Sequence, residues 1–271
     1  MSNGPLRIEQ YETVRYDINC NPLGVPDSVT RAIMENISAV GHYPDYEPLR
    51  NAIASYACCA PEHLVLGSGS SDLLRLFVAL LAPKKALLPI PSATDYEHVL
   101  SVYGCETDFY ELDINQDYHL DMDDFITHLS DTYDIVILGN PNNPTSQLIS
   151  KADIEKLAAA CKELGIALLL DEMYIEFTEN YERNTAISLV NTYDNLIILR
   201  SVSKFFSVPG LRLAYAIMNN ETNMTIINMT ATPNSISCLT AAACTAMLED
   251  TAYIHESHSR IFTERNLIYS A

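Results

Sequence analysis

Short apolar runs of strand length recur along this chain with a helical pattern after each of them, and that alternation leaves few folds open. His63 to Leu66 is followed by a helical pattern from Ser71, and Ala86 to Ile90 by one from Thr94 to Tyr103. Ile135 to Leu138 precedes a helix that Ser150 caps with Asp153 three residues on, and Ile166 to Leu170 continues the series. Strands joined through helices pair in parallel, and a parallel sheet has to be covered on both faces. Leu196 to Leu199 and Leu211 to Ile217 read as further strands, and Ile236 to Leu248 and Ala252 to Ile268 as closing helices. Ahead of the first strand, Asp27 or Ser28 is placed to cap a helix with Val29, Ile33, Ile37 and Val40 on one face and Gly41 at its end; a second helix follows Pro48. The expectation is an α/β protein with helices on both sides of a mostly parallel sheet.

Composition fits that expectation and narrows the partners. With 271 residues, 48% of them apolar, the chain has the material for one sizeable core and little room for a fibrous or low-complexity segment. Sixteen Lys and Arg against 35 Asp and Glu leave a net charge of −19. Such a field repels nucleic acid and anionic membrane surfaces, so any phosphate has to meet a local basic pocket. Seven cysteines, an odd number without a CxxC pair, point to a reducing compartment. The start, Met1 to Val14, lacks the apolar core of a signal peptide, and runs such as Leu76 to Ala82 are too short to span a bilayer. A soluble, cytoplasmic protein is expected.

In open parallel sheets ligands sit at the carboxyl ends of the strands, and the chemically distinctive residues of this chain fall there. Gly67-Ser68-Gly69-Ser70-Ser71 opens a helix, where backbone N–H groups, hydroxyls and the helix dipole converge on an anion. It lacks the third Gly of a dinucleotide fingerprint and the Lys of a P-loop, so an ordinary Gly/Ser turn is an equal reading. Asn140 to Thr145, with two prolines, reads on its own as a turn. Asp171 ends the apolar run Leu168-Leu169-Leu170, where a carboxylate needs a cationic partner, and Tyr174 lies three residues on. Lys204 stands between Ser203 and Phe205-Phe206, a setting suited to desolvating an amine although a surface lysine is the default reading, and Arg212 opens an apolar strand and calls for an anion. His255 and His258 have no third ligand and read as a solvated helix face, and Asp121 to Asp124 as a charged helix start.

Taken in order, Asn19-Cys20-Asn21-Pro22-Leu23-Gly24, Tyr43-Pro44-Asp45, Gly67 to Asp72, Pro91 to Tyr96, Asn140 to Thr145, Asp171 to Tyr174 and Ser201-Val202-Ser203-Lys204 with Pro209-Gly210-Leu211-Arg212 carry a resemblance over almost the whole chain. The chain resembles the fold-type I pyridoxal-phosphate (PLP) enzymes, and within them the histidinol-phosphate aminotransferases and threonine-phosphate decarboxylases. The resemblance implies a three-layer α/β/α fold in which residues 1–40 belong to a small domain, 41–248 form the large PLP-binding domain and 249–271 begin the interdomain helix. It implies that Lys204 holds PLP covalently and later shuttles a proton, that Asp171 faces the pyridine nitrogen, and that Asn143 and Tyr174 hydrogen-bond the phenolic oxygen. Tyr96 would stack on the ring, and Ser70, Ser71, Ser201, Ser203 and Arg212 would gather the phosphate. Lys204, Asp171 and Tyr174 form the implied catalytic set. Tyr43 matches a tyrosine that reaches the neighbouring subunit's phosphate, which implies a homodimer with shared sites.

The sequence departs from the pattern in three places. Ser146 stands where Gly usually completes the Asn-Pro-Thr-Gly turn, and Ser71 where aminotransferase relatives often carry Asp. The chain ends at Tyr269-Ser270-Ala271, ahead of the family segment that carries an arginine for the substrate α-carboxylate, so the small domain is expected to be incomplete at the C-terminus. The implied activity is transamination between an amino acid or phosphorylated amine and a 2-oxo acid. The alternatives are decarboxylation of L-threonine O-3-phosphate, toward which the run from Ser203 to Arg212 leans, and a non-catalytic PLP-binding homologue.

Overall fold

The computed structural model describes residues 19–270; the start of the chain read for a signal core, residues 1–18 of the expected small-domain segment, and Ala271 lie outside the described residues. Two helices, α1 (Asp27–Glu35) and α2 (Glu47–Ala57), precede β1 (Leu64–Gly67), α3 (Ser70–Leu81), β2 (Lys85–Ile90), α4 (Thr94–Val102) and β3 (Glu106–Glu111). The chain continues through α5 (Met122–Thr127), β4 (Ile135–Gly139), α6 (Lys151–Glu163), β5 (Ala167–Asp171), α7 (Tyr181–Asn184), β6 (Leu196–Ser201) and β7 (Ala214–Met218). It closes with α8 (Glu221–Thr230), α9 (Cys238–Leu248) and α10 (Thr251–Ser270).

The seven strands form one sheet in the order β1-β7-β6-β5-β4-β2-β3. Pairings are parallel except at β7, which runs antiparallel to both β1 and β6. Alternation along each strand sends its side chains into two separate cores. Val136, Leu138, Leu168, Leu170 and Ile198 pack with α2, α5, α6 and α9, whereas Ile135, Ile137, Leu169, Ile197 and Leu199 pack with α3, α4 and α8. This is the three-layer α/β/α arrangement expected from the sequence.

Capping chemistry sets several boundaries. Ser150 accepts from the Asp153 N–H at the start of α6, as expected, and Asp121 accepts from the N–H groups of Asp123 and Asp124 at the start of α5. At α1 the expectation fails: Pro26 occupies the cap position, no side chain caps the helix, and it ends at Glu35. Asn36 bonds back to the Ala32 carbonyl through both its backbone N–H and its side-chain amide, and a tight 3-10 turn over Ile37–Gly41 follows. That turn rotates Ile37 and Val40 off the buried stripe, leaving them 57% and 62% exposed.

Two elements had no apolar run to announce them. β3 is a sheet-edge strand of sequence ETDFYE, held to β2 by backbone pairing and by Lys85, which bridges Asp108 at 2.9 Å. α8 is a polar helix that buries only Ile227 and is started by the Asn220 side chain accepting from Asn223 N–H. The strand read from Leu211 begins at Ala214 instead, because Pro209–Leu211 forms a 3-10 turn and Arg212 sits in the left-handed region at φ 54°.

Candidate functional site

The reversal of β7 organises the site. Ala214 at its start pairs with both Gly67 at the end of β1 and Ser201 at the end of β6, so the segment before β7 lies at the edge where its two neighbours finish. Arg212 is thereby brought to the loop after β1 and to the loop after β6, which carries Lys204. Parallel β4 and β5 end at the same edge, with Gly139 opposite Asp171. A cleft of about 330 Å³ opens there, lined by residues that include Ser70, Ser71, Asp95, Tyr96, Asn143, Asp171, Tyr174, Ser201, Ser203, Lys204 and Arg212. Ten of the sequence-predicted site residues thus line one cleft. Tyr43 does not; it lies outside that cleft and is 86% exposed.

One end of the cleft is built for an anion. Gly69 precedes α3 with φ +99°, and a Cβ there would stand 2.2 Å from Arg212 Nη2, so only glycine lets the guanidinium lie across the start of the helix. No side chain caps α3, which leaves N–H groups of its first turn directed outward next to the guanidinium. Among the described residues the Arg212 side chain makes a single long hydrogen bond, 3.4 Å to the Pro209 carbonyl. Asp95, which the sequence reading passed over, accepts from the Ser71 hydroxyl at 3.2 Å at the rim of this cup; its signal was its place in the first turn of α4.

The floor of the cleft holds a buried carboxylate. Asp171 is 7% exposed, and its oxygens accept from the Tyr96 hydroxyl at 2.8 Å and from Met173 N–H at 2.9 Å. No cation pairs with it among the described residues, and burial pushes its pKa up to about 6 against the pull of those two donors. Tyr96 is itself buried, and its path to Asp171 passes close to Gly139, where a Cβ would stand 3.4 Å from the tyrosine hydroxyl and 3.3 Å from Asn142. The Tyr96–Asp171 bond was not legible in the sequence, since only the fold brings residues 75 positions apart into contact.

Two asparagine clamps hold the loops in place. Buried Asn140 accepts from Ile149 N–H at 2.8 Å, and Asn142 donates to the Pro91 carbonyl at 2.9 Å, fixing the turn that aims Asn143 into the cleft. Asn21, 2% exposed, donates from its backbone to the Lys204 carbonyl at 2.9 Å and from its amide to the Phe205 carbonyl at 2.9 Å and Ser257 Oγ at 2.7 Å. The Asn19 to Gly24 motif therefore locks the lysine loop to α10. Lys204 itself lines the cleft, half-buried, while Phe205 and Phe206 turn away into the core.

The pair on α10 corrects the sequence reading. His255 is exposed, but His258 is not part of a solvated face: its ring packs against Phe205 and Phe262, and Nε2 lies 3.1 Å from the Glu176 carbonyl. Phe205, in the loop after β6 and distant in sequence, supplies burial that the i, i+3 spacing could not reveal.

A sequence model of the family described as aminotransferase class I and II matches residues 12–271. The chain belongs to this family. It is 30% identical over 250 residues to a threonine-phosphate decarboxylase of Salmonella typhimurium, covering 92% of this chain and 68% of that protein. It is 32% identical over 245 residues to histidinol-phosphate aminotransferase 2 of Haemophilus influenzae, covering 90% of this chain and 66% of the relative. Another match, from Caldanaerobacter subterraneus, is 37% identical over 201 residues, and the alignment spans 54% of that protein's length. Among solved structures, the histidinol-phosphate aminotransferase of Clostridium acetobutylicum superposes with a TM-score of 0.87 at 33% identity, over 95% of this chain and 76% of that one. Among its described residues the chain contains no helix long and apolar enough to cross a membrane.

Proposed function

We propose that the cleft binds PLP and that the chain is a PLP-dependent aminotransferase acting on an amino acid or phosphorylated amine and a 2-oxo acid. The observation that carries this reading is Asp171, a buried carboxylate without a cation in the same cleft as an amine and an anion cup. The ring nitrogen, aldehyde and phosphate of PLP answer these three groups in turn. Bound PLP supplies an electron sink for charge left on the substrate's α-carbon.

The chain's own residues do the rest. Ionised Asp171 holds a proton on the ring nitrogen, and the cation so formed stabilises the carboxylate that burial alone disfavours. Ser70, Ser71, Ser201, Ser203 and Arg212 hold the phosphate, with the start of α3 adding backbone donors. The Asn143 amide and Tyr174 hydroxyl donate to the phenolic oxygen, and Tyr96 walls the ring while steadying Asp171. Lys204 would hold the cofactor covalently through Nζ, and its amine would carry a proton to and from the substrate's α-carbon.

The same reading assigns residues 1–40 to the small domain, 41–248 to the cofactor domain and 249–271 to the start of the interdomain helix. It also makes the protein a homodimer in which Tyr43 reaches the neighbouring cleft, an arrangement supported by the exposed apolar side chains Val25, Met34, Ile37, Val40 and Tyr43 around α1. Seven free thiols suit the cytoplasm.

Decarboxylation of L-threonine O-3-phosphate is the second reading, favoured by the match to a threonine-phosphate decarboxylase. The test is the visible spectrum of the purified protein with PLP. Wild type is expected to show the band of lysine-bound cofactor and Lys204→Ala to lack it; retention of the native band by Lys204→Ala sinks the assignment. Conversion to pyridoxamine phosphate by glutamate identifies transamination. Carbon dioxide release from L-threonine O-3-phosphate without that conversion identifies the decarboxylase, and a band that no amino acid alters identifies a non-catalytic binder.

A further inference from the structure

Two adjacent cysteines follow α2. Cys58 is its C-cap, in the left-handed region at φ 52°, and Cys58, Cys59 and Ala60 make the whole connection to the turn before β1. Among the seven cysteines Cys58 alone is exposed; Cys59 is half-buried and packs on the core that α2 shares with α9, while Cys105, Cys161 and Cys244 are buried. Neither member of the pair lines the cofactor cleft, and the function proposed above uses neither.

The two sulfurs have different surroundings. Cys58 Sγ makes one weak hydrogen bond among the described residues, to the Ser55 carbonyl at 3.8 Å. Cys59 lies within electrostatic reach of Arg200, a guanidinium buried between Glu172 and Glu176, and of Tyr215, whose buried hydroxyl has no partner among the described residues. Burial pushes the Cys59 thiol up to about 11 against the pull of Arg200, and Cys58 and Glu62 add to the rise. A reagent in solvent therefore meets Cys58 first, with Cys59 held protonated directly behind it.

We propose that Cys58 and Cys59 form a thiol–disulfide exchange site, at which a small-molecule disulfide of the glutathione type attaches to Cys58, Cys59 displaces it to join the two neighbours in a ring, and ring closure loosens the end of α2. The Cys58 thiolate attacks one sulfur of glutathione disulfide, forming a mixed disulfide and expelling one glutathione thiolate. The Cys59 thiolate then attacks Cys58 Sγ and expels the second. Two cysteine thiols give up two protons and two electrons, and one glutathione disulfide takes them up as two thiols. Adjacent Cα atoms stand about 3.8 Å apart, below the roughly 4.4–6.8 Å that disulfides ordinarily bridge, so the ring is strained and readily reduced. That suits a transient bond rather than a structural one. Closure draws Cys59 toward exposed Cys58 and away from Arg200, and it shifts the cap of the helix that carries Tyr56, whose hydroxyl lies 3.5 Å from Glu176 Oε1. The helix so loosened is one that packs on α9.

The test incubates the folded full chain with glutathione disulfide, blocks the remaining thiols and follows one peptide by mass. Cleavage after Arg50 and Arg75 releases residues 51–75, in which Cys58 and Cys59 are the only cysteines. In wild type this peptide is expected to pass through a form carrying one glutathione and to end with neither glutathione nor blocking group, its two sulfurs joined. Cys59→Ser is expected to stop at the glutathione adduct, and Cys58→Ser to leave the peptide without one. Oxidised wild type is expected to melt roughly 2–4 °C below the reduced protein and to recover with excess reduced glutathione. An adduct as lasting in wild type as in Cys59→Ser, or a disulfide joining two chains through Cys58, overturns the exchange site. Reaction of buried Cys161 or Cys244 at the same rate as Cys58 overturns it too, because oxidation then follows unfolding rather than the exposed pair. A melting temperature that ring closure leaves unchanged overturns the loosening of α2.

Discussion

Asp171 and Glu172 are adjacent, both are carboxylates and both are buried, yet the protein treats them in opposite ways. Glu172, fully buried, accepts from Ala186 N–H at 2.7 Å, from the Thr185 hydroxyl at 2.6 Å and from Arg200 Nη1 at 3.2 Å. Arg200 reaches Glu176 Oε1 at 2.5 Å with its other terminal nitrogen, completing a triad on the side of the sheet away from the cleft. Burial pushes the Glu172 carboxyl up, and Arg200, Ala186 N–H and Thr185 pull it back. Among the described residues Asp171 has only a tyrosine hydroxyl and one backbone N–H. Both carboxylates meet the cost of burial, but only Glu172 has a resident cation to offset it. The contrast separates a charge that builds the fold from one kept waiting for a ligand, and it is open to direct attack.

The largest effect is expected on the structural side. Arg200→Met leaves Glu172 and Glu176 buried against each other without a counter-charge, which destabilises the fold by about 3–5 kcal/mol. The readout is the denaturant midpoint. Adding Glu172→Gln and Glu176→Gln to Arg200→Met is expected to return much of that loss, because the whole triad is then gone rather than one of its members. A single Arg200→Met protein as stable as wild type would show that the triad is not a unit.

Asp171→Asn is expected to move stability the other way in the cofactor-free protein. An ordinary aspartate titrates near 3.8, and burial lifts Asp171 to about 6. Below both values the group is neutral, folded or unfolded, and contributes nothing. Between them the folded chain keeps a proton that the unfolded chain has lost, so stability falls as pH rises from about 4 to about 6 and stays lower above. The difference corresponds to about 3 kcal/mol. Asp171→Asn therefore raises the melting temperature at pH 7.5, the gain shrinks toward pH 4, and PLP binding weakens. A gain independent of pH would contradict the reading of Asp171 as an unpaired buried charge.

How much of this was legible in the chain follows the same division. The layers, six of the seven strands and the loops of the cleft came from apolar runs and loop chemistry, which are local. The sheet-edge strand β3 escaped because its two faces are polar, and helix α8 because it buries a single side chain. Within the site, Asp171, Lys204 and Arg212 announced themselves as charges at the ends of apolar runs, where they looked unpartnered. Arg200 did not, although it lies in the same kind of run, because its partners Glu172 and Glu176 come from the neighbouring strand and the turn beyond it. The bond between Tyr96 and Asp171, the close passage of Gly139 beside it and the burial of His258 are products of packing between distant segments, and no local pattern encodes them.

The smallest expected effect tests that hidden bond. Tyr96 is 4% exposed, so Tyr96→Phe keeps the packing of the ring and removes only the hydroxyl. That hydroxyl favours the ionised form of Asp171, whereas burial and the nearby carboxylate of Asp95 oppose it. Losing it is expected to raise the Asp171 midpoint above about 6, by roughly one unit for a hydrogen bond to a charged group. The shift is read in the cofactor-free protein, from the pH dependence of melting or from the carboxyl resonance of labelled aspartate. If Tyr96 serves only as a flat wall for the cofactor ring, phenylalanine replaces it fully and the midpoint stays where it is. If it also prepares the carboxylate, the midpoint moves before any cofactor is added, and the difference between Asp171 and its saturated neighbour becomes one set in part by a single oxygen atom.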